Sequence, residues 1–400
     1  MITVTYFIRE LNVSQCEKIT DAGIQGLCVS VNYLGKEDPR LGQCKSIETL
    51  FIRGTKITKK GIQTALINLP FLKQCKIDIL NSANVPVQFL AEMHQPDWNI
   101  KRPKDIRKYS LDSLYLCHQI LHDGKLMSLP YTSGSLGLVA SLCPSVTSLD
   151  IELITGLTDS EMLGLLSLKN VNKLEISELY DGSSTAVTFE GGMVPLLKGF
   201  GSSLKELSLF YLEDVNIRAI IDFCPKLQSL VLDGNQSYST TVSAKEDEKP
   251  HHSKRCRMEQ KPSVLKNLEK LRLVYPCYVG SADLVEEEKI SSEDLLSLLS
   301  SPSLIDIYIS SCPNLTDYIF ERASEIHQFL SLEKLTLYFC RTLTGRGIDV
   351  VMNKKTALKT IEICKCDNIT DVDIALLISK ARSENWELSV EYASKDEESN

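Results

Sequence analysis

The 400-residue sequence has no run of about eighteen uninterrupted apolar residues, which is the least that a transmembrane helix needs. Its start, residues 1–8, lacks the cationic flank and the long apolar core of a secretory signal peptide. The chain is therefore unlike a membrane or secreted protein, and we predict a cytoplasmic location, a nuclear location, or both.

Sequence signatures of catalysis are also missing. The chain has no P-loop Gly-Lys-Ser/Thr, no dinucleotide-binding glycine fingerprint, no nucleophile elbow and no zincin helix. Acidic residues are plentiful, but no spacing pairs two of them in an enclosed pocket. We predict no catalytic residues, no cofactor and no enzymatic activity.

Metal-ligand spacing is absent as well. Three groups come nearest to it: Cys117-His118 with His122, His251-His252 with Cys256, and Cys364 with Cys366. None supplies the paired four-ligand frame of a zinc site. We predict no bound metal.

An excess of positive charge is lacking too. The formal net charge is −8, which is not the electrostatic footprint of a nucleic-acid-binding protein. One short basic run, Lys254-Arg255-Cys256-Arg257, fits either a nuclear-import patch or an ordinary solvated loop. Nucleic acid is therefore not an expected partner.

What the sequence does contain is a repeat. The segment Leu332-Glu333-Lys334-Leu335-Thr336-Leu337 returns as Leu358-Lys359-Thr360-Ile361-Glu362-Ile363, with apolar residues at positions 1, 4 and 6 of each unit. The same pattern starts at residues 8, 47, 72, 111, 146, 171, 204, 227, 268 and 304, with a degenerate copy around Leu388 and Val390. This spacing is typical of leucine-rich repeats, which contribute one strand and one helical segment each.

The repeat predicts the fold. Alternate strand residues point to opposite faces, so positions 4 and 6 face inward and positions 3, 5 and 7 face outward. Because one unit cannot bury its apolar side alone, the units stack and their strands form a parallel sheet. We predict an α/β leucine-rich repeat solenoid, a horseshoe with an inner parallel β-sheet of about 12–13 strands and outer helices, as one domain over residues 1–393.

A Thr-Asp pair follows many of the predicted strands, as in Thr20-Asp21, Thr158-Asp159, Thr316-Asp317 and Thr370-Asp371. Thr is a good N-cap, and the Asp suits the positive end of a helix dipole. Each pair therefore predicts the start of an outer helix.

The thirteen cysteines follow the repeat rather than a disulfide framework. Cys16, Cys117, Cys312, Cys340 and Cys366 come just after a strand, where a small thiol can stack on its equivalents. We predict structural free thiols in a reducing compartment.

Several segments break the repeat. Residues 28–46 lengthen the first helix and loop, residues 81–108 form a predicted basic loop, and residues 237–263 form a polar insertion that we predict to be disordered. Charges on the last strand and the acidic tail 394–400 protect that sheet edge, so we expect a true C-terminus. At the start, residues 1–7 are apolar and alternating, which predicts either a missing upstream module or a partner that covers this edge.

Strand, Cys turn, the phrase Ile19-Thr20-Asp21-Ala22-Gly23-Ile24 and a Cys-Pro-x-Leu return resemble the cysteine-containing repeats of the F-box/LRR family and of the related AMN-type mitotic regulators. The resemblance implies a substrate-recognition subunit of an SCF-type ubiquitin ligase. In that family an F-box docks the Skp-type adaptor, and through it the cullin, while the repeats hold the substrate. No F-box is visible before Ile8, so an adaptor and cullin are expected only if an F-box is supplied elsewhere.

The repeat register also predicts which side chains line the concave face and bind a protein partner. Acidic residues come first and lead into an aromatic, Arg-bearing stretch of the types that dominate interface hot spots. The alternative is that these are ordinary surface aromatics and that position 8 is half-buried. The candidate residues are Asp150, Glu152, Glu175, Glu206, Phe210, Tyr211, Asp233, Arg272, Tyr275, Tyr308, Tyr338 and Phe339.

Two functions therefore fit the sequence. The first is partner recognition within an SCF-type ubiquitin ligase, in ubiquitin-dependent protein catabolism. The second is a non-ligase scaffold or inhibitor that sequesters its partner protein.

Overall fold

A computed structural model describes residues 8–28, 30–31, 37–38, 46–77, 84–94, 108–122, 125–178, 186–239, 264–276, 290–352 and 357–393. The chain divides into two compact units. Unit 1 comprises Met1–Val187 with Gly191–Leu196, and unit 2 comprises Thr188–Glu190 with Leu197–Asn400. The single domain predicted over residues 1–393 stays a prediction.

Unit 1 alternates strands and helices. Its elements, in chain order, are β1 (Glu10–Asn12), α1 (Asp21–Cys28), β2 (Ser30–Val31), β3 (Glu37–Asp38), β4 (Thr49–Phe51), α2 (Lys59–Asn68), β5 (Gln74–Lys76), α3 (Val87–Glu92), β6 (Ser113–Leu116), β7 (Gln119–His122), β8 (Lys125–Ser128), α4 (Ser135–Leu142), β9 (Ser148–Leu153), α5 (Asp159–Met162) and β10 (Lys173–Glu178). A 3₁₀ turn, Leu163–Ser167, extends α5, and a π turn, Phe189–Met193, precedes α6 (Val194–Phe200), which contains the division between the units.

Unit 2 continues the alternation more regularly. Its elements are β11 (Glu206–Phe210), α7 (Ile217–Phe223), β12 (Ser229–Asp233), β13 (Lys270–Val274), α8 (Ser292–Leu299), β14 (Asp306–Ser310), α9 (Asp317–His327), β15 (Lys334–Tyr338), α10 (Gly345–Val351), β16 (Thr360–Cys364), α11 (Asp371–Ser383) and β17 (Ser389–Ala393). Its seven strands pair in parallel and in sequence order.

The predicted repeat register is confirmed. Within the described residues a strand lies at each of the thirteen repeat positions, six in unit 1 and seven in unit 2. Inward residues such as Leu207, Leu209, Ile307 and Ile309 are fully buried. Each such side chain stabilises the fold by roughly 1.5–3 kcal/mol, so the apolar columns at positions 1, 4 and 6 supply much of the core energy.

The Thr-Asp pairs start helices as predicted, with one addition. Thr370 accepts from the Asp373 amide at 3.2 Å in a full capping box, and Thr58 and Thr344 also cap their helices through side-chain hydrogen bonds. Thr316 stands at the same position but makes no side-chain capping bond. Most of these threonines thus satisfy a free amide in the first helical turn.

The addition is a bridge between neighbouring repeats, which we call the Asp–Thr bridge. Asp317, at the start of α9, accepts from the amide and hydroxyl of Thr344 in the next repeat at 2.9 and 2.6 Å. Asp21 accepts from Thr58 in the same way at 2.7 and 2.6 Å. The aspartates therefore hold successive helices in register as well as facing a helix dipole.

The ninth residue of a repeat lies in the turn after the strand and forms a hydrogen bond with the preceding repeat. The thiols of Cys340 and Cys366 donate to the carbonyls of Ile309 and Leu337, each at 3.7 Å. The ten cysteines among the described residues are all free. Cys16 is exposed rather than stacked inside a turn, so the predicted ladder holds for the later repeats and not for the first.

The parallel strands of unit 1 do not form one unbroken sheet. Strands β1, β4 and β5 form a three-stranded sheet, and the ladder stops between β5 and β6. The buried amide of Asn84 fills this gap, accepting from the Cys75 amide at 2.8 Å and donating to the Lys73 carbonyl at 3.1 Å and the Ser113 hydroxyl at 3.1 Å. A side chain thus satisfies backbone groups that a continuous ladder would have paired.

Two of the predicted interruptions contain regular structure. Residues 81–108 are not simply a basic loop, because α3 lies within them and buries Val87, Phe89 and Leu90. Residues 28–46 contain the antiparallel pair β2–β3, and a second antiparallel pair, β7–β8, was not predicted. Sequence periodicity missed these elements because they are too short to show a period.

Residues 237–239, the first of the predicted disordered insertion, are ordered. Tyr238 is 5% exposed, and the Ser237 hydroxyl accepts from the Asp214 amide at 2.7 Å. Residues 1–7, 95–107, 240–263 and 394–400 lie outside the described residues, so the predictions for the apolar start, the basic residues before Lys108, the insertion and the tail remain predictions.

Within the described ranges, no helix is long and apolar enough to cross a membrane.

Candidate functional site

Outward strand positions 3, 5 and 7 form a surface that we call the open sheet face. Parallel pairing places equal positions of neighbouring strands side by side, as in Arg272 beside Tyr308 and Ser310 beside Tyr338. The face is therefore organised in rows across the strands, and each unit has its own portion.

On strands β9 and β10 of unit 1, the open sheet face carries three acidic residues at positions 5 and 7. Asp150 on β9 lies beside Glu175 on β10 and two residues before Glu152. Burial raises the pKa of Asp150 to about 7, with further contributions from the negative charges of Glu175 and Glu152 and a small opposing effect of Lys173. Three of the predicted site residues thus form one electrostatically coupled group, called here the acidic cluster.

Glu152 has a neighbour that the sequence did not indicate. Its carboxylate accepts from the His118 amide at 2.8 Å and lies 3.0 Å from His118 Nδ1. His118 follows Cys117 and was considered only as a metal ligand. Among the residues that are described, no three His, Cys, Asp or Glu side chains come together in a way that could hold a metal ion.

In unit 2 the candidate residues form a connected array. The guanidinium of Arg272 donates to the Asp233 carboxylate at 3.3 Å through both Nε and Nη2. The guanidinium also lies over Tyr308, with Cζ 4.2 Å from the ring centroid, and Tyr308 stacks on Tyr338 with centroids 5.7 Å apart. An ion pair, a cation–π contact and an aromatic stack therefore hold these four side chains in one geometry.

A second ion pair borders this array. Lys334 Nζ lies 2.7 Å from Glu362 Oε1, and the other carboxylate oxygen, Oε2, accepts from the Thr336 hydroxyl at 3.2 Å. Glu362 is position 5 of the repeat that starts at Leu358, so the same register count, carried one repeat further, would have found it.

Position 8 of several repeats lies in the left-handed region of backbone space. Tyr211 has φ of 61° and Phe339 has φ of 53°. Tyr211 is 38% exposed and covers Gly234, where an added Cβ would lie 2.4 Å from the tyrosine ring. Lys365 lies over Phe339, 5.6 Å from its centroid. Tyr211 and Phe339 therefore lie at the rim of the open sheet face. Glu206, another predicted site residue, is exposed on β11, the first strand of unit 2.

Tyr275 does not belong to this surface. It stands at position 8 but lacks the positive φ, and its side chain is 2% exposed. Its hydroxyl accepts from the Ile290 amide at 2.9 Å, and its ring lies 5.7 Å from that of Tyr238. Tyr275 was predicted to bind a partner, but the fold buries its side chain. We therefore remove Tyr275 from the candidate surface.

Comparisons with known proteins support the repeat fold. The leucine-rich repeat family matches residues 7–28. Comparison with curated protein sequences found no match. A chain in the crystal structure of the Rad7 and Elc1 complex in yeast is 15% identical with a TM-score of 0.50, over 92% of this chain and 78% of that one.

An internalin (InlF) from Listeria monocytogenes str. 4b F2365 is 14% identical with a TM-score of 0.41, over 89% of this chain and 76% of its own. At 15% identity the likeness to the yeast chain concerns the fold alone. The chain is an α/β protein with the leucine-rich repeat fold.

Proposed function

We propose that the chain is a protein-interaction module that binds a partner protein on the open sheet face of unit 2. The observation that carries the proposal is the connected array of Asp233, Arg272, Tyr308 and Tyr338. Tyr and Arg side chains dominate interface hot spots, and here they are already held in place before any partner binds. A preorganised surface spends less conformational entropy on binding.

The rigidity comes from the fold. Each residue of the array stands on a strand whose inward neighbours, such as Leu273, Ile307 and Leu337, are fully buried. Parallel hydrogen bonding to both neighbouring strands fixes the backbone. A partner therefore meets side chains whose positions are set by the core.

We further propose that the partner is a substrate and that the chain is a recognition subunit of an SCF-type ubiquitin ligase, in the cytoplasm or nucleus and without catalytic residues of its own. The support is the resemblance of the cysteine-containing repeats to the F-box/LRR family. The yeast neighbour was crystallised in a complex with Elc1, so a chain of this fold is known to assemble with another protein.

Quantitative pull-down tests partner binding. The tagged full chain, the double variant Tyr308→Ala/Tyr338→Ala and the control Tyr318→Ala are each incubated with cell lysate, and captured proteins are quantified by mass spectrometry. Tyr318 is the matched control because it lies on helix α9 and is 62% exposed.

We expect a specific partner to bind the double variant roughly thirtyfold more weakly, which corresponds to about 2 kcal/mol, while the control binds normally. Equal capture by all three proteins would remove the array from the binding surface.

A second measurement separates the ligase from the scaffold. If the chain recruits a substrate for degradation, the Skp-type adaptor and a cullin co-purify with it, and the partner's half-life lengthens when the chain is deleted. If it sequesters its partner, neither protein co-purifies and the half-life is unchanged or shorter. The two results assign different functions to the same surface.

A further inference from the structure

The open sheet face of unit 2 has one apolar residue on each of five consecutive strands. They alternate between two rows, at position 7 on β11, β13 and β15 and at position 5 on β12 and β14. We call this set the apolar zigzag: Phe210, Val231, Val274, Tyr308 and Tyr338. All five side chains are partly exposed.

The positions between them are polar and also alternate. They are Ser208, Asp233, Arg272, Ser310 and Thr336. The apolar zigzag therefore crosses the strands as a continuous stripe with a polar residue beside each member.

The spacing of the stripe selects the conformation of an occupant. Neighbouring strands lie about 4.8 Å apart, so the zigzag offers an apolar contact every ~4.8 Å and returns to the same row every ~9.6 Å. An α-helix lying across the strands rises about 5 Å between apolar residues spaced three or four apart and about 10.5 Å over seven residues. An extended peptide returns a side chain to one face only every ~6.7 Å, which does not match.

The charges beside the stripe favour an uncharged occupant. Arg272 is paired with Asp233 at 3.3 Å and stacked on Tyr308, and Lys334 is paired with Glu362 at 2.7 Å. At position 3, Lys270 and Lys334 flank Asp306, so the signs alternate there as well. A strongly charged partner would have to break these pairs, whereas an apolar surface leaves them intact.

We propose that the apolar zigzag binds an amphipathic α-helix of the partner protein, lying across strands β11–β15 with apolar residues in a heptad-like spacing. This inference rests on the proposed function and names the partner's chemistry. It follows the general mode in which the apolar face of a helix lies in a hydrophobic groove.

Two displayed peptide libraries test it on the full chain. One holds 18-residue helix-forming peptides with varied apolar residues at heptad spacing, and the other holds 18-residue Gly/Ser-rich linear peptides of varied sequence. We expect peptides of the helical library to be enriched on the full chain. Synthetic copies of the enriched peptides should bind Val274→Glu and Tyr338→Ala at least about tenfold more weakly than the natural chain. Tyr318→Ala, on the outer helix, should bind them normally.

Salt supplies an independent readout. Because Arg272 and Lys334 are already paired with Asp233 and Glu362, affinity should change by less than about threefold between roughly 50 and 500 mM NaCl. Circular dichroism checks that Val274→Glu folds. If this variant does not fold, the loss of peptide binding is judged from Tyr338→Ala alone.

Several outcomes would overturn the inference. They are enrichment of the linear library only, enrichment of neither library, affinity that falls steeply with salt, or a chain that dimerises in sedimentation unless Val274→Glu is present. If both libraries fail, the helix-binding inference is wrong. The proposed partner binding is tested separately, by the pull-down with Tyr308→Ala/Tyr338→Ala.

Discussion

The ninth residue of the repeat that starts at Leu227 is Asn235, where the repeats that start at Leu304, Leu332 and Leu358 have cysteine. Its amide oxygen accepts from the Leu212 amide at 2.9 Å, and its nitrogen donates to the Leu209 carbonyl at 3.2 Å. Leu209 is equivalent to Ile309, whose carbonyl accepts the Cys340 thiol. Asparagine and cysteine thus serve the same carbonyl, but the thiol is the weaker hydrogen-bonding group.

This difference gives a prediction. Asn235→Ala should lower the free energy of unfolding by about 2–4 kcal/mol, because it leaves a buried amide and a buried carbonyl unpaired. Asn235→Cys should cost roughly half as much, since the thiol can still reach the Leu209 carbonyl. Urea unfolding of the two variants measures both, and equal losses would contradict the shared role of position 9.

Asp150 predicts a pH dependence. Its pKa in the folded chain, about 7, exceeds its ordinary value of 3.8, mainly through burial and then through Glu175 and Glu152. A carboxyl with a raised folded pKa contributes most to stability below its unfolded pKa, and this contribution is lost as the pH rises through about 7. The native state should therefore carry a penalty from Asp150 above pH 7.

Asp150→Asn should remove that penalty. At about pH 8 we expect the variant to be roughly 1–3 kcal/mol more stable than the natural chain, after allowance for partial solvent exposure, and near pH 4 the difference should vanish. Unfolding in urea at both pH values measures it, with the exposed Glu213→Gln as the control. A gain of equal size at both pH values would contradict the assignment.

For the candidate site, the sequence predicted well which face of the sheet each strand residue lies on. Counting from the apolar positions placed Arg272, Tyr308 and Tyr338 on the outward side, where the structure has them. Tyr275 was misplaced because its exposure depends on φ at position 8, which the apolar spacing does not report. The stack of Arg272 on Tyr308 was also beyond the sequence, because it depends on side-chain rotamers.

At the scale of elements, helices are linked by the Asp–Thr bridge and by glycines that make room for it. In α10, a Cβ on Gly347 would lie 2.6 Å from Asp317 Oδ1 and 2.6 Å from Leu343 Cδ1. The same oxygen of Asp317 accepts from the Thr344 amide. In α2, Gly61 stands in the same relation to Asp21, at 2.3 Å.

The glycines predict opposite signs for one substitution. Gly347→Ala should destabilise the chain by roughly 1–3 kcal/mol, because the methyl group displaces the Asp317 carboxylate from its bridge. Gly26→Ala, in helix α1, should stabilise it by about 0.5–1 kcal/mol, because nothing lies within 4 Å of the new methyl group and alanine favours the helix. Thermal unfolding distinguishes the two, and a loss of stability in both would refute the steric argument.

Elements that carry the repeat were predictable, and those that break it were not. The strand of each repeat follows from three apolar positions, and Thr58, Thr344 and Thr370 signal their helices. Helix α3 was concealed because residues 81–108 contain prolines and basic residues, although Phe89 and Leu90 are buried. The β7–β8 pair was missed because its strands carry no repeat spacing.

At the scale of the whole molecule, the chain is built from repeats, and within each unit a repeat packs mainly on its neighbours. Stability in such arrays is approximately a sum of repeat and interface contributions. A substitution that destabilises one repeat should therefore loosen only that repeat and its neighbours. Asn84 in unit 1 and Gly347 in unit 2 are suitable positions for such substitutions.

Hydrogen exchange can follow the two defects separately. Asn84→Ala removes the hydrogen bonds to Cys75, Lys73 and Ser113, so amides of β5 and β6 should exchange faster while those of β14–β16 keep their protection. Gly347→Ala should give the reverse pattern, with faster exchange around α9 and α10 and unchanged β5 and β6. Because one variant lies in each unit, uniform acceleration in either one would show that the chain unfolds as one cooperative body rather than as an array of neighbouring repeats.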